Sequence, residues 1–133
     1  MQNSSSATLN LPVGSNIQWA GLYWGGMYNS TNSGITNPTE LDINQVKLKT
    51  PDASSYTTSN SEICNIESAE FSGWNSFLSY ADVTSIVQSS VTGDYFVTDI
   101  ALVTGSGFTG PYGGWNLVVI YEDATEKSGN IAV

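Results

Sequence analysis

Two stretches decide the fold of this chain, Ile17-Gln18-Trp19-Ala20-Gly21-Leu22-Tyr23-Trp24-Gly25-Gly26 and Gly113-Gly114-Trp115-Asn116-Leu117-Val118-Val119-Ile120-Tyr121-Glu122-Asp123. Both are apolar, rich in aromatic residues and bounded by glycine, which is typical of long β-strands. Much of the remaining sequence is serine, threonine and asparagine, so these two stretches must supply much of the core.

Within the second stretch, Trp115–Tyr121 is apolar on both faces of the predicted strand except at Asn116. That pattern predicts a strand that is covered on both sides. Core packing is accordingly the expectation for Trp115, and for one or other of Trp19 and Trp24.

Period-two alternation and turn residues dominate the sequence, which indicates an all-β fold. We expect a two-sheet sandwich of jelly-roll or Greek-key type, with one short helical turn near residues 82–88 that Asp82 caps. The predicted strands are Ala7–Leu11, Asn16–Trp24, Asn44–Lys49, Ser55–Asn60, Glu62–Ile66, Asn75–Tyr80, Asp94–Val103, Trp115–Glu122 and Asn130–Val133.

Length and charge narrow the class of protein. The 133 residues fit one domain, so we expect residues 1–133 to form a single module, cut from a longer multidomain surface protein.

A net charge of −9, with three basic residues against twelve acidic ones, argues against nucleic acid as a partner. Membrane insertion is not expected, because no apolar run approaches the ~20 residues of a spanning helix. Polarity supplied by uncharged side chains favours an extracellular location at the cell surface.

Residues that could carry out catalysis are not apparent, so the prediction is that the chain is not an enzyme. Cys64 has no histidine to activate it, since the chain contains none. The spaced glycines of residues 105–110 match a dinucleotide-binding pattern, but a turn and a strand follow them where that motif requires a helix.

The acidic residues leave calcium as a possible cofactor, because calcium takes oxygen ligands from loops. A structural role as caps and loop anchors is the alternative interpretation. The residues that could ligate calcium are Asp82, Asp94, Asp99, Glu122 and Asp123.

Aromatic side chains in loops raise the question of a sugar-binding platform, because aromatic rings stack on the apolar faces of pyranose rings. Trp74, Phe108 and Tyr112 are the candidates for ligand binding. The two long loops, 29–39 and 105–114, are the candidate contact loops.

Across most of its length the chain resembles a module of large secreted, adhesin-like surface proteins, typically from Bacteroidetes-type bacteria and some archaea. The resemblance rests on four motifs in this order, Ala7-Thr8-Leu9-Asn10-Leu11-Pro12, Trp19-Ala20-Gly21-Leu22-Tyr23-Trp24-Gly25-Gly26, Tyr80-Ala81-Asp82-Val83-Thr84 and residues 113–123. It implies no catalytic residue.

The expected function is therefore that of a non-catalytic extracellular module of an adhesin or filament-like protein, serving structural display, cell adhesion or subunit assembly. Its expected partners are neighbouring modules or subunits of the same surface protein, and glycans. A carbohydrate-binding module is the alternative interpretation.

Overall fold

The computed structural model describes residues 3–69, 73–106 and 112–125. Ten strands and one short helix make up the described chain. They are β1 (Ser4–Leu9), β2 (Asn16–Tyr28), β3 (Ile35–Thr36), β4 (Gln45–Lys49), β5 (Thr57–Asn60), β6 (Ile63–Ala69), β7 (Trp74–Asp82), α1 (Thr84–Gln88), β8 (Gly93–Thr98), β9 (Thr104–Gly105) and β10 (Gly113–Glu122).

Eight of the strands form two four-stranded antiparallel sheets. The first sheet has the order β1-β8-β4-β5 and the second has the order β10-β2-β7-β6, while β3 and β9 form a small separate pair. Side chains from the two large sheets meet in one buried cluster, so the fold is an all-β sandwich. The predicted fold class is confirmed.

The core is built from the inward-facing residues of the central strands. Trp24 is buried, and its indole Nε1 donates to the carbonyl oxygen of Ile43 at 3.0 Å. Ser79 Oγ donates to the same carbonyl oxygen at 2.8 Å. Two side chains of the second sheet thereby fix the backbone that leads into β4 of the first sheet.

Strand β2 continues past its predicted end at Trp24, through two glycines, to Tyr28. A Cβ on Gly26 would lie 2.7 Å from the carbonyl oxygen of Tyr112 and 2.8 Å from Cα of Gly113. Glycine here allows close approach of neighbouring backbones within the sheet, whereas the sequence pattern suggested the end of a strand.

Strand β8 is shorter than predicted, because it ends at Thr98 instead of continuing to Val103. Asp99 has a φ of 65°, a left-handed conformation that turns the chain out of the sheet. The side chain of Asn3 then takes the place of a strand partner, since its Nδ2 donates to the carbonyl of Ile100 and its Oδ1 accepts from the amide of Ile100.

The predicted helical turn is present as α1, but the prediction that Asp82 caps it is wrong, because Val83 is the N-cap residue and makes no side-chain capping hydrogen bond. Asp82 Oδ1 accepts a hydrogen bond from the backbone N–H of Thr84 at 2.8 Å. With five residues, α1 is far too short to span a membrane, and the described part of the chain contains no other helix.

The prediction that β10 is covered on both faces is wrong. Leu117 and Val119 pack against the core, but Val118 and Ile120 are exposed on the other face, at 45% and 47%. Trp115 lies between the two environments, partly buried against the core with Nε1 donating to Ser5 Oγ at 2.7 Å. The predicted strand Asn130–Val133 lies outside the described residues.

Tyr95 gives a first testable prediction. Its buried hydroxyl donates to the carbonyl oxygen of Ser90, and burial, with the nearby charge of Asp52, raises the pKa of Tyr95 to about 12. The unfolded chain therefore loses this proton first as the pH rises above about 10, so stability falls between pH 10 and about 12. Tyr95→Phe should lower the free energy of unfolding at pH 7 by about 1–2 kcal/mol and should flatten this alkaline decline.

Urea unfolding at pH 7 and from pH 9 to 11.5 measures both effects. Tyr112→Phe is the matched control, because that ring is exposed. An alkaline decline of the same steepness in Tyr95→Phe as in the wild type would contradict the assignment.

Candidate functional site

The most distinctive surface is the outer face of the second sheet, which turns away from the core. Strand β2 alternates, so that Ala20, Leu22 and Trp24 are buried while Trp19 and Tyr23 lie half-buried on the other face. We name this surface the aromatic face. Its members are Trp19 and Tyr23 of β2, Leu78 and Tyr80 of β7, Val118 and Ile120 of β10, and Ile63 of β6.

Strand register makes these side chains neighbours. Tyr80 is paired with Tyr23 on one side and with Ile63 on the other, so an apolar row crosses three strands. Trp19 is paired with Ile120 in the same way. The aromatic face is therefore continuous across all four strands of the second sheet.

Gly21 determines how Trp19 is held. It lies two residues from Trp19 on the same face, and a Cβ at this position would fall 2.6 Å from Trp19 Cζ2 and 3.1 Å from Tyr80 Cε2. Real Cβ atoms do not come as close as 2.6 Å, so only glycine allows both rings to lie against the backbone of β2. The indole is thus supported from beneath by the sheet.

Three rings form one group on this face. The planes of Trp19 and Tyr80 are within 18° of parallel, with ring centroids 6.3 Å apart. Tyr23 and Tyr80 have centroids 5.0 Å apart and planes tilted by 42°. Contacts of this kind fix the ring orientations, because aromatic pairs favour offset and tilted arrangements.

Two carboxylates lie beside the rings. Glu62 Oε1 accepts a hydrogen bond from the backbone N–H of Asp82 at 3.0 Å, which places both acids at one end of the group. Desolvation raises the pKa of Tyr80, and the charges of Asp82 and Glu62 raise it further, while a hydrogen bond with Trp19 opposes them. Hydrogen bonds from the hydroxyl and the amide of Thr84 lower the pKa of Asp82, with a smaller contribution from Trp19.

The predicted ligand-binding residues that the structure describes lie away from the aromatic group. Trp74 begins β7 on the same face as Tyr80, but six residues away, which is about 20 Å along a strand. Tyr112 is exposed at the same end of the sheet as Trp74, where its carbonyl oxygen accepts from the amide of Met27. Phe108 lies outside the described residues.

The five predicted calcium ligands do not converge on one point, and each has a partner within the protein. Asp94 accepts from Thr8, Asp99 pairs with Lys47 at 2.7 Å, and Glu122 accepts from Gln18 at 3.0 Å. Asp123 accepts from Thr125, whose amide and hydroxyl lower the pKa of that carboxyl, and Asp82 accepts from Thr84. Across residues 3–69, 73–106 and 112–125, no three His, Cys, Asp or Glu side chains are close enough to hold a metal ion.

Two surface cavities are lined in part by acidic side chains that make hydrogen bonds or an ion pair within the protein. One cavity of about 130 Å³ contains Glu40, Asp42 and Asp99. Asp99 forms the ion pair with Lys47, and Asp42 Oδ1 accepts from the amide and the side chain of Asn44. A larger open cavity of about 390 Å³ is lined by Tyr28, Asn29, Asn37, Pro38, Leu41, Asp42 and Ile43, with Asp42 as its one carboxylate.

The aromatic group was missed by sequence reasoning, although a signal for it was present. Trp19 and Trp24 are five residues apart, so in a strand they must lie on opposite faces. Burial of Trp24 therefore places Trp19 on the outer face, and Gly21 two residues later indicates close approach of another group to the backbone. The presence of Tyr80 in the aromatic group could not be predicted in this way, because neither segment has a sequence pattern that indicates the pairing of β7 with β2.

Comparison with known proteins yields no match for this chain among family models, curated proteins or solved structures.

Gly21→Ala tests the support beneath Trp19. The new methyl group must displace the indole, so we expect a loss of about 1–3 kcal/mol in the free energy of unfolding and greater access of a quencher such as acrylamide to tryptophan. Urea unfolding and fluorescence quenching measure the two effects. Gly114→Ala is the matched control on the adjacent strand, because a Cβ there meets nothing within 4 Å. Equal stability of the two variants would contradict the proposed packing.

Proposed function

We propose that this chain is a non-catalytic extracellular module of a cell-surface adhesin or filament-like protein, serving structural display, adhesion or subunit assembly. In this proposal the module works by contact, and the aromatic face is the surface that makes it. The observation that carries the proposal is the exposure of apolar side chains on one face of the second sheet, with Leu78 of β7 exposed at 54% and Val118 and Ile120 of β10 exposed at 45% and 47%.

Exposed apolar side chains that stand singly on a protein surface need no explanation, but a continuous patch marks a site of interaction. The aromatic face is continuous through strand register, and its rings are held in place by one another and by Gly21. Such a rigid surface loses little conformational entropy when it is covered, which favours binding.

An extracellular setting is supported by composition. Charged residues make up 11% of the chain, so its polar surface comes chiefly from serine, threonine and asparagine.

A carbohydrate-binding module is the second candidate. The specific observation in its favour is the group formed by Trp19, Tyr23 and Tyr80, which presents three half-buried rings on one side of the sandwich. These three rings are therefore not the aromatic residues that the sequence pattern suggested for sugar binding.

Val118→Lys tests whether the aromatic face makes the contact. Beads that carry the domain are tested for adhesion to cellulose, chitin, mannan or collagen, and to beads that carry the same domain. We expect the wild type to adhere to at least one of these targets and Val118→Lys to reduce that adhesion by about tenfold or more, because a buried unpaired charge is costly.

Val13→Lys is the matched control, since Val13 is fully exposed in the loop between β1 and β2 and the same charge is introduced away from the face. Adhesion that is equal in Val118→Lys and the wild type would overturn the proposal. So would a wild type that adheres to none of the targets.

A further inference from the structure

The group formed by Trp19, Tyr80 and Tyr23 has a geometry suited to a linear chain of sugar units. The centroid spacings of 6.3 Å and 5.0 Å are comparable with the length of one pyranose unit, and both contacts join a ring of β2 to the ring of Tyr80 on β7. One sugar unit can therefore lie over Trp19 while the next lies over Tyr80 and Tyr23. A deep pocket is not required, because an apolar sugar face packs against a flat surface.

We propose that the aromatic face is a binding site for neutral glycans, in which one pyranose unit packs on the indole of Trp19 and the next packs on Tyr80 and Tyr23. This inference rests on the proposed contact function and names the ligand class of the face.

Polar groups lie where sugar hydroxyls would extend beyond the rings. Asp82 is an exposed carboxylate at the end of β7, and Glu62 is hydrogen-bonded to the amide of Asp82. Ionised carboxylates accept several hydrogen bonds, and those to charged groups are stronger than those between neutral groups. Packing on the rings and hydrogen bonding at their edge thus act on the same sugar unit.

The charged side chains near the aromatic face determine which classes of ligand can bind there. Both basic residues in the described part of the chain lie on β4 of the first sheet, where Lys47 pairs with Asp99 and Lys49 lies over the ring of Phe96. The aromatic face has Asp82 and Glu62 beside its rings with no described cation near them. Acidic sugars are therefore repelled, and neutral sugars are not.

The same charges argue against a second copy of this chain as the occupant. In a symmetric pair the same surface patch meets itself, so two copies joined through the aromatic face would bring their carboxylates together. Each copy also carries a net charge of −9. Like charges brought together at an interface are costly, which leaves an uncharged ligand as the better complement.

Calorimetric titration and tryptophan fluorescence with defined oligosaccharides test the inference. The neutral probes are cellohexaose, mannohexaose and chitohexaose, and hexagalacturonate is the acidic probe. We expect at least one neutral probe to bind with a Kd of about 1 mM or tighter, with a change in tryptophan fluorescence, and we expect no binding of hexagalacturonate.

Trp19→Ala should weaken that binding by about tenfold or more, because loss of a central aromatic anchor has this effect at binding sites. Tyr23→Ala is the second variant, should Trp19→Ala fail to fold as judged by circular dichroism. Tyr112→Ala is the matched control, since it removes an exposed ring at the other end of β2 and should leave the Kd unchanged.

Absence of binding to all three neutral probes would overturn the inference, and so would binding that neither Trp19→Ala nor Tyr23→Ala weakens. The contact function would survive either result if bead adhesion to collagen or to the same domain still depended on Val118. Failure of the ligand class and failure of the contact function are therefore distinguishable.

Discussion

The alternation of side chains along β2 is the constraint on which the rest of this structure depends. This 13-residue strand lies between β10 and β7, so its backbone is hydrogen-bonded on both sides and its faces cannot be exchanged without a shift of register. One face supplies Leu22 and Trp24 to the core, and the other supplies Trp19 and Tyr23 to the surface. Core and candidate site are thus two sides of the same strand, and a slip by one residue would bury the surface rings and expose the core.

Glycine has two distinct roles in this strand. At Gly26 it allows neighbouring backbone to approach, and at Gly21 it makes room for the rings of Trp19 and Tyr80. The second role links stability to the surface, because a side chain at Gly21 would change the position of the indole without touching the core. A strand that tolerates glycine in this way must be stabilised by its neighbours, and the ladders on both sides provide that stability.

The features of the fold that depend on local sequence patterns were predictable from the sequence. Alternation identified the sandwich class and most of the strands, and the helical turn was predicted at α1, although Val83 is its N-cap residue instead of Asp82. Pairing between distant segments was not predictable, so the meeting of Tyr80 with Trp19 and Tyr23 came only from the register of β2 and β7. The end of β8 was missed for a similar reason, because Asn3, almost a hundred residues away, provides the hydrogen bonds that let the chain leave the sheet. The apolar outer residues of β10 predict a covering layer in the sequence, whereas Val118 and Ile120 are exposed in the structure.

An exposed apolar face presents a folded protein with the hazard of self-association. Here the carboxylates of Asp82 and Glu62 lie at the edge of the rings, and the net charge of the chain has the same sign. We infer that mutual repulsion opposes pairing of copies through this face, while an uncharged ligand meets no such barrier. In this proposal the same arrangement reconciles two properties that would otherwise conflict, a surface apolar enough to bind and a protein charged enough to resist pairing through that surface.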